Sequence, residues 1–340
     1  MKKKIRHNIF LLGIMLFPMM LAAQQVEFSQ FYSAPLHLNP ALAGISHGPR
    51  VSVTYRNQWA GLTPGPNGGF VTYAISYDQH IEEIKGGLGI QIISDRIAND
   101  RVVNNTVALS YSYQIRFNKK VGLKLGLNGS YKHRYVNFYD LTFLDQIDPI
   151  TGFNQSIGVP NVTNEPPPAS LNKNIFNAGA GGVLFTEKFY GGIAFSNVIP
   201  ETGFYGEQEY KMRMAVHAGA LFKMGRNLYN KKFFVAPQAL YVYQNNFHQI
   251  TLGSMVGYDF MYLSLWGRHT IKNMDAVIVG LGFKKSIIRF GYSYDINVSP
   301  LKGSTGSHEF TFVFNFTKED NSLNPSYRQG IMPCPYYLDF

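Results

Sequence analysis

Nine histidines, one cysteine and a short glycine run are the residues of this 340-residue chain whose types invite a chemical reading. Hydrolysis of an acyl or peptide bond needs a nucleophile, a base and an orienting acid within reach of one another. No H-E-x-x-H pair occurs. His217 and His308 stand singly in alternating patterns and are read as strand residues rather than bases. The run Gly179-Ala180-Gly181-Gly182 lacks the Lys-Ser/Thr of a phosphate loop and lies inside a strand pattern, where glycine marks tight packing. There is no cluster of metal-ligand residue types, and neither a cofactor nor an enzymatic activity is expected. Cys334, alone in Pro333-Cys334-Pro335, excludes an internal disulfide framework and reads as an inert or tail-docking thiol. More telling are charges set among small residues. Lys124, Arg213 and Arg289 share strand faces with Gly, Ser and Ala, and Asp275 and Glu309 are candidates for the same placement. Buried ionisable groups are costly unless paired or hydrated. Two readings follow, an internal salt-bridge network, which is preferred, and a charged translocation path.

The elements that must position these charges are strands. Fourteen signals recur at short spacing: 50–58, 69–79, 86–94, 103–116, 120–136, 175–186, 187–197, 210–224, 231–243, 248–258, 259–268, 274–284, 286–295 and 305–317. Successive side chains of a strand point to opposite faces. In 107–115 one face holds Val107, Leu109, Tyr111, Tyr113 and Ile115, the other Ala108, Ser110, Ser112 and Gln114. The next strand opposes Val121, Leu123, Leu125 and Leu127 to Gly122, Lys124, Gly126 and Asn128, and the last sets Phe310, Phe312, Phe314 and Phe316 against Glu309, Thr311 and Asn315. A soluble sandwich turns its bulky face inward and a charged face outward. Here the second face carries small residues with sparse charges, which suits a lumen, while the bulky face suits lipid. The pattern predicts an all-β transmembrane outer-membrane barrel of about 14 antiparallel strands, an even number that lets both ends of the chain lie on the periplasmic side. Asn118-Lys119-Lys120, Glu187-Lys188 and Lys284-Lys285 read as short periplasmic joins, and the inserts 140–174 and 197–209 as extracellular loops.

Composition agrees. Residues 1–23 combine Lys2, Lys3, Lys4 and Arg6, an apolar stretch from Ile9 to Leu21 and a Leu21-Ala22-Ala23 cleavage site, so a secretory signal peptide is expected. The apolar stretch is short for a membrane anchor, and Pro18 interrupts it. Cleavage removes four of the 31 basic residues and no acidic one, lowering the net charge from +10 to +6. With 22 Tyr, 26 Phe and 15% charged residues, the chain lacks the clustered basic face of a nucleic-acid-binding domain. The expected organisation is a signal peptide at 1–23, a plug-like segment at 24–49, a barrel at 50–317 and a tail at 318–340.

The stretch from Glu27 to Trp59 joins an apolar leader, broken by Pro35, Asn39 and Pro40, to the first strand. Its FSQFYSAPLHLNPALAG (28–44) followed by YRNQW (55–59) resembles the start of the PorP/SprF family, outer-membrane proteins of the type IX secretion and gliding machinery of Bacteroidetes. Three later blocks resemble the same family: LTFLDQIDPITGF (141–153), IFNAGAGGVLFTEKFYGGIAFSNV (175–198) and YSYDINVSPLKGSTGSHEFTFVFNF (292–316). The resemblance implies a non-enzymatic component supporting delivery or surface retention of secreted proteins. The implied partners are type IX secreted proteins or surface adhesins and periplasmic ring or motor components, in a setting of outer-membrane lipid. It directs attention to Asn39, Pro40, Gly44, Tyr55, Arg56, Asn57, Gln58 and Trp59, as partner-binding residues or as parts of a plug. In the plug reading Pro40 and Gly44 fold the leader into the lumen, Arg56 and Gln58 hydrogen-bond it there, and Trp59 marks the membrane boundary. The ending CPYYLDF departs from the family, which has a basic residue soon after the CP pair. A plugged fourteen-strand barrel also suits a transport channel for hydrophobic or small solutes, similar to a fatty-acid transporter.

Overall fold

The structure is a computed structural model that describes residues 25–46, 48–61, 69–118, 120–146, 163–204, 209–224, 233–270, 274–298 and 305–316. The expected signal peptide, the tail with Cys334 and much of the 140–174 insert lie outside these residues.

Fourteen antiparallel strands close into a barrel. They are β1 (Arg50–Gln58), β2 (Phe70–Ile81), β3 (Gly86–Ile97), β4 (Val102–Arg116), β5 (Val121–Val136), β6 (Asn172–Thr186), β7 (Phe189–Ser196), β8 (Arg213–Ala220, resuming at Phe222–Met224), β9 (Phe233–Gln244), β10 (Phe247–Tyr258), β11 (Met261–Thr270), β12 (Met274–Lys285), β13 (Ile288–Asn297) and β14 (Ser307–Asn315). Neighbours in sequence pair throughout, β8 bridges β7 and β9, and β1 pairs with β14 from Arg50↔Asn315 to Gln58↔Ser307. Closure gives each of the fourteen strands two neighbours, the arrangement that lets strands sit in lipid. The sequence pattern read 210–224 as one strand. Instead it breaks at Leu221, which is buried and bonds Lys188 O, and Glu209–Tyr210 pairs with Glu201–Thr202 in a separate small ribbon.

Burial is inside out relative to a water-soluble protein. Leu109, Leu127 and Leu263 on the outer face are 61%, 63% and 63% exposed, whereas Ser112, Asp78 and Glu309 on the inner face are wholly buried. Exposed aliphatic side chains in such numbers are stable only against hydrocarbon. The joins at 82–85, 117–120, 187–188 and 286–287 are short and share a rim with the two free strand ends, Arg50 and Asn315. That arrangement assigns this rim to the periplasm and the rim of longer loops (59–69, 137–171, 197–212, 298–306) to the outside.

The lumen differs from the sequence reading on one side. Strands β6 to β12 turn Phe185, Phe234, Leu240, Met255, Trp266 and Ile278 inward, so half of the interior is an apolar core. Alternation alone marks two faces without saying which one each large residue takes when both carry bulk, as in β9. The free face of that apolar half is covered by the segment preceding β1.

Candidate functional site

That segment, Gln25–Ser46, runs the length of the lumen. Gln25 lies at the long-loop rim, its N–H bonded to Gln244 Oε1 at 3.3 Å and its amide oxygen to Asn197 Nδ2 at 3.4 Å. Gly44 lies near the other rim, its N–H 2.8 Å from Asp78 Oδ2. Barrel strands begin and end on the periplasmic side, but the leader climbs back through the barrel, and the first described residue is at the opposite mouth. An even strand count alone could not reveal this.

Proline and capping chemistry explain its compact path. Pro35 starts a single helical turn (Pro35–Leu38), and Pro40 starts a 3-10 turn (Pro40–Leu42) capped by Asn39, whose Oδ1 accepts from Ala41 N at 2.9 Å. Gly44 closes the path at φ +59, a conformation that favours glycine. Between these turns Phe31, Tyr32, Leu38 and Leu42 enter the apolar half of the wall. Tyr32 stacks on Trp266 at 5.6 Å, and Phe31 meets the same ring edge-on at 5.1 Å.

Polar fastenings sit at three levels. Near the outer mouth Arg213 reaches Glu27 through Nε and Nη2 at 2.7 and 2.6 Å. Below it a charge cluster grips the next turn: Glu309 accepts from the consecutive N–H groups of Ser29 and Gln30 at 2.8 and 2.9 Å. Arg56 bridges Glu309 (3.0 Å) and Asp295 (3.1 Å) and donates to Ser29 Oγ, and Arg268 adds a second cation on Asp295 at 2.8 Å. At the periplasmic level Lys124 Nζ donates to Ala43 O and Gly44 O at 2.7 and 3.3 Å, Ser112 Oγ donates to Ala43 O at 2.8 Å, and Arg50 pairs with Asp78 at 2.6 Å. Asn39 reaches sideways: its Nδ2 lies 3.2 Å from Gly182 O, 3.2 Å from Ile193 O and 3.0 Å from His217 Nε2, three acceptors sharing two hydrogens.

The leader's backbone touches the wall where the wall has no side chain. A Cβ on Gly126 would stand 2.2 Å from Ala41 N and 2.4 Å from Pro40 C, and one on Gly87 2.2 Å from Ala43 O. Gly126→Ala therefore expels this turn while leaving the strand ladder intact. Hydrogen exchange at Ala41 and Leu42 should rise about tenfold or more, the usual consequence of overpacking, with β4 and β5 unchanged; unaltered protection would refute the contact.

Of the residues singled out from sequence, Asn39, Pro40, Gly44, Arg56, Lys124, Arg213 and Glu309 converge on the leader. Arg289 is half-buried on the inner face near the periplasmic rim. Gln58 touches Arg56, at 3.5 Å from Nη2, and no bond from Gln58 to the leader is formed among the described residues. Tyr55 faces outward against Tyr73 and Phe310, Asn57 shares that outer face, and Trp59 packs on Phe70 at the long-loop rim. Asp275 is the extra residue of a bulge at the long-loop rim and accepts a hydrogen bond from Thr270 Oγ1, away from the charge cluster. His217 and His308 lie on opposite faces of the wall, the first against Asn39 and the second 3.0 Å from the Tyr292 hydroxyl. Sequence reasoning missed Glu27, Ser29, Gln30, Asp78, Arg268 and Asp295. The inward parity that marked Lys124 also marks Asp78, Arg268 and Asp295, whereas Ser29 and Gln30 lie outside the strands and meet Glu309 through main-chain N–H groups that every non-proline residue carries.

A family model described as type IX secretion system membrane protein PorP/SprF matches residues 20–314. The chain belongs to the PorP/SprF family. It is thus an outer-membrane β-barrel of the type IX secretion system, and the inside-out burial and closed sheet are those such a protein requires. No curated protein matches the chain. Among solved structures it is similar to the Ralstonia pickettii toluene transporter TbuX, at 11% identity and TM-score 0.47 over 84% of this chain and 94% of that one. It is also similar to the Acinetobacter baumannii outer membrane protein Omp33 (7%, 0.44, covering 80% and 100%) and to a Pseudomonas aeruginosa FadL homologue (11%, 0.39, covering 79% and 90%).

Proposed function

We propose that this PorP/SprF-family protein is a non-enzymatic component that supports delivery or surface retention of secreted proteins bearing C-terminal targeting domains, and that its leader plugs the barrel at rest. The observation that carries the reading is the leader itself. Phe31, Leu38 and Leu42 are almost wholly buried in the lumen, and the segment is tied near both mouths by Arg213 and by Lys124 with Asp78. A barrel filled in this way offers no ready passage, so its work depends on partners that engage it or move the leader. The partners proposed are type IX secreted proteins or surface adhesins on one side and periplasmic ring or motor components on the other. Cross-linking in living cells, gentle solubilisation of the tagged protein and mass spectrometry test this. Recovery of such proteins supports the reading, and a barrel carrying lipid alone rejects it.

The leader's direction adds a prediction. Because Gln25 sits at the outer mouth, a signal peptide still attached would project outside the cell, so seating the leader requires its removal. Amino-terminal sequencing of the outer-membrane form should begin at Gln24; a chain retaining residues 1–23 would contradict it. A second reading, a channel for hydrophobic or small solutes, draws on the apolar half of the lumen around Trp266 and Phe234. It requires solute uptake by the purified protein alone in liposomes.

A further inference from the structure

The lumen grips the leader by its main chain as well as by its side chains. Glu309 takes two consecutive N–H groups, Lys124 two consecutive carbonyls, Ser112 one carbonyl, Asp78 the Gly44 N–H and Gln244 the Gln25 N–H. These groups are common to every non-proline residue, so the anchors are indifferent to side-chain identity. Opposite them stands a wall of Trp266, Phe234, Phe185 and Met255, whose apolar contacts are non-directional and whose methionine adapts its shape. Among the described residues, the Arg213 contact with Glu27, the Asn197 contact with the Gln25 side-chain oxygen and the contacts made through the side chains of Ser29, Gln30 and Asn39 read the leader's own sequence. The anchors also have a polarity. The carboxylate holding N–H groups, Glu309, lies toward the outer mouth, and the ammonium holding carbonyls, Lys124, lies toward the periplasm. Reversing a peptide in this channel would swap neither set onto its proper partners.

We propose that the lumen is a peptide-binding site of low sequence selectivity, and that a second polypeptide segment, unfolded, apolar and weakly charged, takes the leader's place with its amino end toward the cell surface. This inference rests on the plug reading in that the leader must leave before another chain can enter. The lumen of a fourteen-strand barrel is wider than the side-chain-filled interior of an eight-strand one and narrower than an open porin channel, which suits a single chain rather than a folded domain.

The test uses the full chain with a protease site placed between Gly48 and Pro49, cut after folding so that the leader becomes an exchangeable ligand. Three fluorescent peptides are added to the cut protein: residues 25–46, a shuffled version that keeps Pro35, Pro40 and Gly44 in place, and the reversed sequence. Binding is read by anisotropy and, separately, ionic conductance is read in a planar bilayer. The expected result is that the native and shuffled peptides bind with affinities within about tenfold of each other and the reversed one more weakly. Lys124→Met in the cut protein should weaken both forward peptides about tenfold, the scale of a lost charge-assisted hydrogen bond. Binding of the native peptide alone, equal binding of the reversed peptide, or binding of none would overturn the proposal. A cut protein that binds peptides but stays sealed after the leader is washed out would instead overturn the plug reading.

Discussion

Deleting Glu27–Gly44 is expected to make the barrel conduct, as the proposed plug requires. The deleted stretch buries Phe28, Phe31, Leu36, Leu38 and Leu42 at 4% exposure or less, a stabilisation on the order of 10 kcal/mol as an upper estimate. Losing that amount would unfold a water-soluble domain of ordinary stability. Here the wall is held by fourteen continuous strand pairings and by lipid on its outer face, neither of which involves the leader. The lumen then fills with water against Trp266 and Phe234, and Glu309, Asp295 and Lys124 become available to ions. Planar-bilayer recordings should show discrete conductance steps absent from the parent, and the variant should keep the heat-modifiable gel mobility of a closed barrel. A barrel equally tight after deletion would reject the plug.

Arg56→Met is expected to destabilise the barrel by about 3–5 kcal/mol, the scale for removing one partner of a buried ion pair. Arg56 is 2% exposed and stands between Asp295 and Glu309, themselves 1% and 0% exposed. Without it Arg268 still neutralises Asp295, but Glu309 retains only hydrogen bonds from the leader. The excess negative charge has no water to turn to. The double variant Arg56→Met with Glu309→Gln removes cation and anion together and should recover part of the loss, since residues in contact couple. Arg56→Lys should recover little: one ammonium cannot reach Glu309, Asp295 and Ser29 from a single stem with the fork geometry of guanidinium. Urea unfolding in lipid vesicles measures all three, and additive losses in the double variant would refute the direct pairing.

These two effects differ in how far they could be foreseen. Asn39, Pro40 and Gly44 were legible because capping, proline and left-handed backbone are local requirements, satisfied within two or three residues. Lys124, Arg213 and Glu309 were legible as charges on small-residue faces. Their partners were not. Ser29 and Glu309 are 280 positions apart, and Arg56 and Asp295 are 239 apart. Asp275 shares its alternation with Val277, Val279 and Leu281, and the bulge that sets it beside Thr270 appears only when β11 and β12 are laid in register.

By itself the sequence determined the barrel: fourteen strands, their approximate limits and the lipid-facing side, because alternation has a period of two and is written residue by residue. Tertiary structure decided what fills the lumen and in which direction. An apolar leader of this composition could have lain along the periplasmic rim or outside it. It enters because the inner face of β6 to β12 is apolar and would otherwise face water, because glycines on the wall leave room for its backbone, and because carboxylates and an ammonium from strands far apart in sequence meet its main chain only once the sheet has closed.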